Sequence, residues 1–193
     1  MLRRLPIIPT LVVLAAVAVM ICLGFWQLDR LHQKEAMLAR YAIAAASDFT
    51  IALPTTARAR LAHLYEPATA ICAQVEAQSM IGGRNRKQQS GWVQLAQCRD
   101  PDGIPFEVAI GWSNRPTLVP WRGGPLHGRI GNAGNHRTRL YADIGQQGLR
   151  AVAQPDPSQV PNNHLAYAVQ WFLFAATALI IYALALRRKL RES

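Results

Sequence analysis

The sequence predicts a membrane protein of the α+β class, in which two transmembrane helices flank one β-rich domain. Apolar residues make up 51% of the 193 residues but are concentrated at the two ends. Neither Leu5–Leu28 nor Pro157–Leu186 contains a Lys, Arg, Asp or Glu, and each run is long enough to cross a hydrocarbon core. Between them lie short alternating segments punctuated by Gly and Pro, which favour a small antiparallel β-barrel or a sandwich-like domain.

The first transmembrane helix is predicted at residues 7–28, after a short N-terminus of residues 1–6. The following residues are good helix formers without Gly or Pro, so we expect the helix to continue to about residue 45. A cleaved signal peptide is the alternative interpretation. The length of the run, and the bulky Phe25 and Trp26 where small residues would be needed for cleavage, favour a retained anchor.

The second transmembrane helix is predicted at residues 161–186 and is followed by a tail of residues 187–193. Cations flank both helices on their outer sides, which predicts that both termini are cytoplasmic and that residues 46–160 form a periplasmic domain. These cations are Arg3, Arg4, Arg187, Arg188, Lys189 and Arg191. The apolar run starts too early to leave space for an organellar presequence, so we expect a bacterial inner (plasma) membrane, with lipid as a partner.

The clearest predicted strand is Phe106–Trp112, where Phe, Val, Ile and Trp alternate and would face one side of a sheet. Residues 92–98 are its expected hairpin partner, because residues 99–103 contain the Pro and Gly of a tight reversal. Residues 82–91 are rich in Gly and polar side chains and predict an exposed, mobile loop. Further strands are predicted at residues 70–78, 128–130, 139–144 and 149–154.

The composition argues against several classes of function. The net charge is +10, but six of the 21 cations flank the apolar runs and the others are scattered, which is not typical of nucleic-acid binding. No catalytic triad, paired catalytic carboxylates, zinc spacing or Cys-x-x-Cys motif occurs, so an enzyme is not predicted. Cys22 is interpreted as a packing residue, whereas Cys72 and Cys98 on neighbouring predicted strands leave a disulfide and two free thiols as open alternatives.

His164 is the strongest candidate site residue, because a neutral imidazole at the start of the second membrane helix can bind haem iron. Trp171 follows it on the same helical face, together with the small Ala168 and Ala175. The alternative is structural: His164 can be a polar residue at a helix start, and Tyr167 and Trp171 can belong to an interfacial aromatic belt.

Trp26 and Gln27 occupy the corresponding end of the first span and allow the same two interpretations. Trp26 can anchor the helix at the headgroup level. Alternatively, Gly24 and nearby Ala residues allow the two helices to approach closely, which would bring Trp26 and His164 to a similar depth.

Two segments carry a resemblance to a known family. Residues 23–34, LGFWQLDRLHQK, resemble the Surf1/Shy1 signature Gly-x-Trp-Gln-x-x-Arg-x-x-x-Lys. Residues 161–172, PNNHLAYAVQWF, resemble the same family's Asn-Asn-His-x-x-Tyr-Ala-x-x-Trp-Phe segment, which opens the second span. In the middle of the chain, Gly111 and Trp112 keep the family's Gly-Trp, but Ala109 and Ile110 replace its Asn-Arg.

The resemblance implies an assembly factor for cytochrome c oxidase, complex IV of the respiratory chain. Such a chaperone binds haem a transiently and helps its insertion into subunit I, with haem a synthase as a second expected partner. The family's haem-linked histidine corresponds to His164, which would contact a metal only through the haem iron. Trp26, Gln27, Tyr167 and Trp171 are carried over as the candidate pocket.

Two rival functions stay open at this point. One is a membrane scaffold that stabilises oxidase assembly intermediates without haem. The other is a membrane-bound oxidoreductase of haem or copper maturation, although the chain lacks redox cysteine pairs and the Met/His clusters of copper delivery.

Overall fold

The computed structural model of the protein describes residues 6–192, so Arg3 and Arg4 lie outside the described residues. Three α-helices and seven strands are found in this range. In chain order they are α1 (Ile7–Ala46), β1 (Ile51–Ala52), α2 (Ala57–Ala62), β2 (Pro67–Cys72), β3 (Gln74–Arg84), β4 (Ser90–Arg99), β5 (Pro105–Ser113), β6 (Gly124–Gly134), β7 (Arg137–Ala142) and α3 (His164–Glu192). One turn of 3₁₀-helix, Pro157–Gln159, precedes α3.

The chain divides into two compact units. The helix unit contains α1 up to Met37 and the chain from Pro161 onward, and the sheet unit contains Leu38–Val160. Both α1 and α3 are long and apolar enough to cross a membrane. Only 11% and 6% of their most apolar stretches are buried within the protein, unlike a core helix of a soluble domain. Two helices that could span a membrane therefore lie at the two ends of the chain.

The sheet unit contains one open, mixed sheet of seven strands in the order β1-β2-β6-β7-β5-β4-β3. The predicted closed barrel is therefore wrong, and the sheet is not purely antiparallel. β1 pairs with β2 in parallel, and so does β5 with β7, whereas the other neighbours are antiparallel. Alternating hydrophobicity reveals a strand but not its neighbour. The prediction failed because β7 inserts between β5 and β6, a pairing that depends on contacts distant in sequence.

The sheet curls strongly about its core. Cys72 on β2 and Cys98 on β4 form a disulfide with their Cα atoms 5.3 Å apart. In a flat sheet, strands four steps apart would be separated by about 19 Å. The two halves of the sheet must therefore face each other across the core, although β1 and β3 do not close it into a barrel.

The main core lies inside this curl. Its largest fully buried side chains, Ile110, Ile130 and Leu140, come from three adjacent strands. The C-terminal end of α1 also contributes to the sheet unit: Tyr41 packs against the core, and its ring lies 4.9 Å from that of Tyr65. The core is thus enclosed mainly by the facing halves of one curled sheet, and the end of α1 packs against it.

The predicted β4–β5 hairpin is confirmed, with Arg99 opposite Pro105. Its alternation holds for Phe106, Val108 and Ile110, which all face the main core. The register then shifts, and Trp112 packs in a second cluster that includes Ala109 and Val152. The prediction that Trp112 shares a face with the other three is wrong, because a β-bulge reverses the alternation.

Three other local predictions also need correction. The predicted strand at residues 70–78 is split between β2 and β3 by a break at Ala73. Half of the predicted loop at residues 82–91 belongs to β3 and β4, and residues 85–89 form the connection between them. The buried Asn85 organises this turn, since its Oδ1 accepts bonds from the backbone amides of Lys87 and Gln89. The segment at residues 149–154 makes only isolated bridges.

Candidate functional site: a hydrogen-bonded histidine and glutamine in the helix unit

α1 and α3 pack as an antiparallel pair, joined by one polar contact near the start of α1 and a second near its middle. The hydroxyl groups of Thr10 and Tyr182 are hydrogen-bonded, and so are the side chains of Gln27 and His164. Thr10 lies early on α1 and Tyr182 late on α3, while Gln27 and His164 have the reverse placement. This order requires the two helices to run in opposite directions.

The buried residues of the helix pair are mainly small and lie at seven-residue spacing. Val17 and Gly24 are the buried residues of α1, and Ala168 and Ala175 are buried on α3. Such spacing is typical of helices that cross at a small angle. A Cβ at Gly24 would lie 2.6 Å from a ring carbon of Phe172, so a larger residue at this position would have to displace that ring. The Phe172 side chain of α3 thus contacts α1 at Gly24, whereas the nearby Ala residues 15, 16 and 18 are exposed.

Gln27 determines which nitrogen of the His164 ring is free. Its Oε1 lies 2.8 Å from His164 Nδ1. An amide oxygen can only accept a hydrogen bond, so Nδ1 must donate. In the neutral ring this leaves the lone pair on Nε2, the atom that an imidazole offers to a metal. Both side chains are part-buried, and the arrangement resembles a metal-ligating histidine together with its supporting acceptor.

The aromatic residues predicted for the pocket lie in different environments. Trp26 and Tyr167 are about half exposed, at 53% and 51%. Trp171 is half-buried and meets Phe174 edge-on, with ring centroids 6.1 Å apart. The structure therefore brings Gln27 directly to His164, while the three aromatic rings occupy the surrounding helix surfaces rather than a closed pocket.

One further aromatic residue, Phe172, belongs to this region but was not among the predicted site residues. Phe172 covers Gly24 and also meets Phe25 edge-on, with centroids 5.4 Å apart. It is part of the Trp-Phe pair that ends the second motif, which was the available signal.

The residues before α3 are also informative. Asn162 Oδ1 is buried and has no hydrogen-bond partner among the described residues, so this side chain keeps a free acceptor two residues from His164.

No group of three or more His, Cys, Asp or Glu side chains that could hold a metal ion occurs within residues 6–192. A haem group needs only axial ligands from the protein, and one free imidazole nitrogen is sufficient for the first. The donor chemistry of His164 therefore fits haem iron. In an assembly role haem would be a cargo, which the protein binds and then releases.

The sheet unit contains a separate cavity of about 460 Å³, with walls that include Leu53, Phe106 and Leu126. Sequence analysis did not identify its buried cation, Arg60. The Arg60 guanidinium donates to the carbonyl oxygens of Pro54, Thr55 and Pro105 at 2.6, 2.7 and 3.0 Å. Burial lowers the pKa of Arg60, and the nearby Asp100 carboxylate opposes this shift. Arg60 thus has a structural role in joining α2 to β5.

Two histidines of the sheet unit are paired with carboxylates. His63 Nδ1 lies 3.0 Å from Glu66, and His127 Nδ1 is hydrogen-bonded to Asp143. Both imidazoles are at least 43% exposed, so these pairs belong to the surface of the sheet unit.

The fold and the site together define a class of protein: a sheet domain flanked in the chain by two membrane-capable helices, with a His–Gln pair joining those helices. The sequence pattern of the SURF1 family matches residues 14–176, which include both partners of the pair and the whole sheet, and the chain belongs to this family. No curated protein matches the chain. The SURF1 family is associated with cytochrome oxidase assembly, and its members are assembly factors rather than enzymes.

Proposed function

We propose that this protein is an assembly factor of cytochrome c oxidase that binds haem a and assists its insertion into subunit I. The observation that carries the proposal is the 2.8 Å hydrogen bond between Gln27 and His164 Nδ1, which leaves Nε2 as the ligand atom. The haem would supply an iron with an open axial position. His164 would hold that iron, while Trp26, Tyr167 and Trp171 would offer apolar surface to the porphyrin edge.

A carrier must release what it binds, and this site suits release. One imidazole on a part-buried helix surface provides a single strong bond without an enclosing pocket. Subunit I is the expected acceptor, and haem a synthase the expected donor. In this proposal the protein performs no chemical conversion itself. The half-cystines Cys72 and Cys98 are 2% and 0% exposed, so they are poorly placed for the thiol exchange that an oxidoreductase would need.

We further propose that both termini are cytoplasmic, that the sheet unit is periplasmic, and that the membrane is a bacterial inner membrane. The four cations at residues 187–191 favour a cytoplasmic C-terminus. The disulfide in the sheet unit favours an oxidising compartment. Reporter fusions after residue 160 and at the C-terminus test this orientation. A cytoplasmic sheet unit would refute it.

A second function is favoured by the same hydrogen bond. The Gln27–His164 pair also satisfies the polar groups of both residues and links two helices, so it can serve a haem-free scaffold that stabilises oxidase assembly intermediates. In that case subunit I would copurify with the protein, and no haem a would.

The decisive experiment measures haem a bound to the full chain after coexpression with the enzymes of haem a synthesis. We expect His164→Ala to reduce bound haem a by at least tenfold, because its removal deletes the axial ligand. His32→Ala is the matched control, since His32 is an exposed histidine on α1, and it should bind as the parent does. Equal haem a in the parent and in a folded His164→Ala protein would remove His164 from the function. Absence of haem a from the parent, with subunit I retained, would favour the scaffold.

A further inference from the structure

We propose that Gln27 is a positioning residue that couples the strength of the His164–iron bond to the pairing of α1 with α3. This inference rests on the proposed haem function and extends it to the control of binding and release. Gln27 would not touch the iron. It would act through the ring of His164, from the opposite helix.

Gln27 selects the tautomer of the His164 ring. With Gln27 Oε1 accepting from Nδ1, the proton of the neutral ring is held away from Nε2. Without this acceptor, the ring can rotate and can carry its proton on either nitrogen. Gln27 therefore increases the fraction of His164 that is ready to bind iron.

Gln27 also affects the electron density of the His164 ring as an iron ligand. An acceptor on the distal N–H of a ligating imidazole makes the ring more basic, and loss of such an acceptor typically weakens metal binding by about 10- to 100-fold. A carboxylate would polarise the N–H more strongly than an amide does. A substitution that removes the acceptor at Gln27 should therefore raise the reduction potential of the bound iron, and one that introduces a carboxylate should lower it.

Gln27 and His164 belong to different helices. Gln27 lies on α1 and His164 is the first residue of α3, 137 positions later in the chain. The helix unit has few buried residues at this contact, and they are mainly small ones. A protein that receives the haem and separates the two helices at this contact would break the Gln27–His164 hydrogen bond. The iron bond would weaken at the moment of delivery.

The first test compares Gln27→Leu and Gln27→Glu with the parent, using the full chain loaded with haem a by coexpression. We expect Gln27→Leu to lower haem a affinity about tenfold and to raise the midpoint potential. We expect Gln27→Glu to keep haem a bound and to lower the potential. Gln33→Leu is the matched control, because Gln33 is an exposed glutamine on the same helix, and it should leave both quantities unchanged.

The second test removes the ligand and supplies it from solution. In His164→Gly, added imidazole should restore the spectrum of ligated haem a. The imidazole concentration needed should be about tenfold lower than that of 1-methylimidazole, after each concentration is corrected for the affinity of that molecule for free haem a. Both molecules bind iron, but the methylated ring has no N–H to donate to Gln27. In the double variant His164→Gly/Gln27→Leu, the corrected difference should disappear.

The outcomes separate this inference from the proposed function. If the parent holds no haem a, both fail. If the parent holds haem a through His164, but Gln27→Leu has the same affinity and potential, only the role of Gln27 fails. The role of Gln27 would also be refuted if imidazole and 1-methylimidazole restored ligated haem a at equal corrected concentrations in His164→Gly.

Discussion

Removal of the Cys72–Cys98 disulfide should strongly destabilise the sheet unit. The bond closes a loop with a sequence separation of 26 residues. Without the crosslink, the chain-entropy relation gives the unfolded chain about 12 cal/mol/K more conformational entropy, which lowers the free energy of unfolding by about 3.5 kcal/mol at 25 °C. This is a large fraction of the 5–15 kcal/mol that typically stabilises a domain. Both half-cystines are buried in the main core, so the Cys72→Ala/Cys98→Ala variant also loses packing.

The assay is urea unfolding of the full chain in detergent, with pulse proteolysis reporting the folded fraction of the sheet unit. With a urea dependence of about 1.5 kcal/mol/M, the double variant should unfold at a midpoint about 2 M below the parent. Cys22→Ala is the control, because Cys22 is free and exposed, and it should leave the midpoint unchanged. A loss below about 1 kcal/mol would refute the reasoning, since the unfolded chain would then gain little freedom. Labelling of denatured protein from cells with a thiol-reactive reagent would show one free cysteine; three would contradict the disulfide.

Three further predictions follow from packing and charge. Glu107→Ala should lower the free energy of unfolding by about 3 kcal/mol in the same assay, because it leaves the largely buried Arg139 without its carboxylate. Gly24→Leu should reduce bound haem a, because the new side chain displaces the Phe172 ring and forces the helices apart. Burial raises the pKa of Tyr65 in the folded protein, so as the pH rises this tyrosine ionises at a lower pH in the unfolded chain than in the folded protein. The unfolding free energy of the parent should therefore fall above about pH 10 more steeply than that of Tyr65→Phe.

Each of these predictions has a matched control. Glu76→Ala removes an exposed ion pair with Arg99 and should cost less than about 1 kcal/mol; an effect as large as that of Glu107→Ala would contradict the burial argument. Ala15→Leu places a leucine at an exposed position of α1, and a similar loss of haem a would contradict the steric argument. For Tyr65 the control is the difference between the parent and Tyr65→Phe at neutral pH, where a tyrosine in the unfolded chain is also un-ionised; the alkaline slopes are compared from that baseline. An unchanged slope in Tyr65→Phe would contradict the assignment to Tyr65.

The sequence was most informative where structure depends on near neighbours. The helix formers after Leu28 predicted that the first helix extends to about residue 45, and α1 ends at Ala46. The turn residues 99–103 and the flanking apolar alternation predicted the β4–β5 hairpin. In these cases the determining contacts lie within a few residues of each other, so periodicity and turn chemistry are sufficient.

The bulge in β5 shows where this local information ends. Up to Ile110 the alternation and the faces of the strand agree, but Trp112 lies in the other cluster. The shift arises from the pairing with β4, between Gln94 and Leu95. The register of one strand depends on its partner, and no pattern within a single strand reports it.

The sequence by itself determined the two apolar spans, their flanking cations, the family motifs and the presence of a β-rich middle. Only the tertiary structure decided that the sheet is open and mixed, that Cys72 is bonded to Cys98, and that Gln27 holds the ring of His164. The physical reason is the same in all three cases. Strand order, disulfide partners and a hydrogen bond between residues 137 positions apart depend on packing over the whole chain, which local residue patterns do not encode.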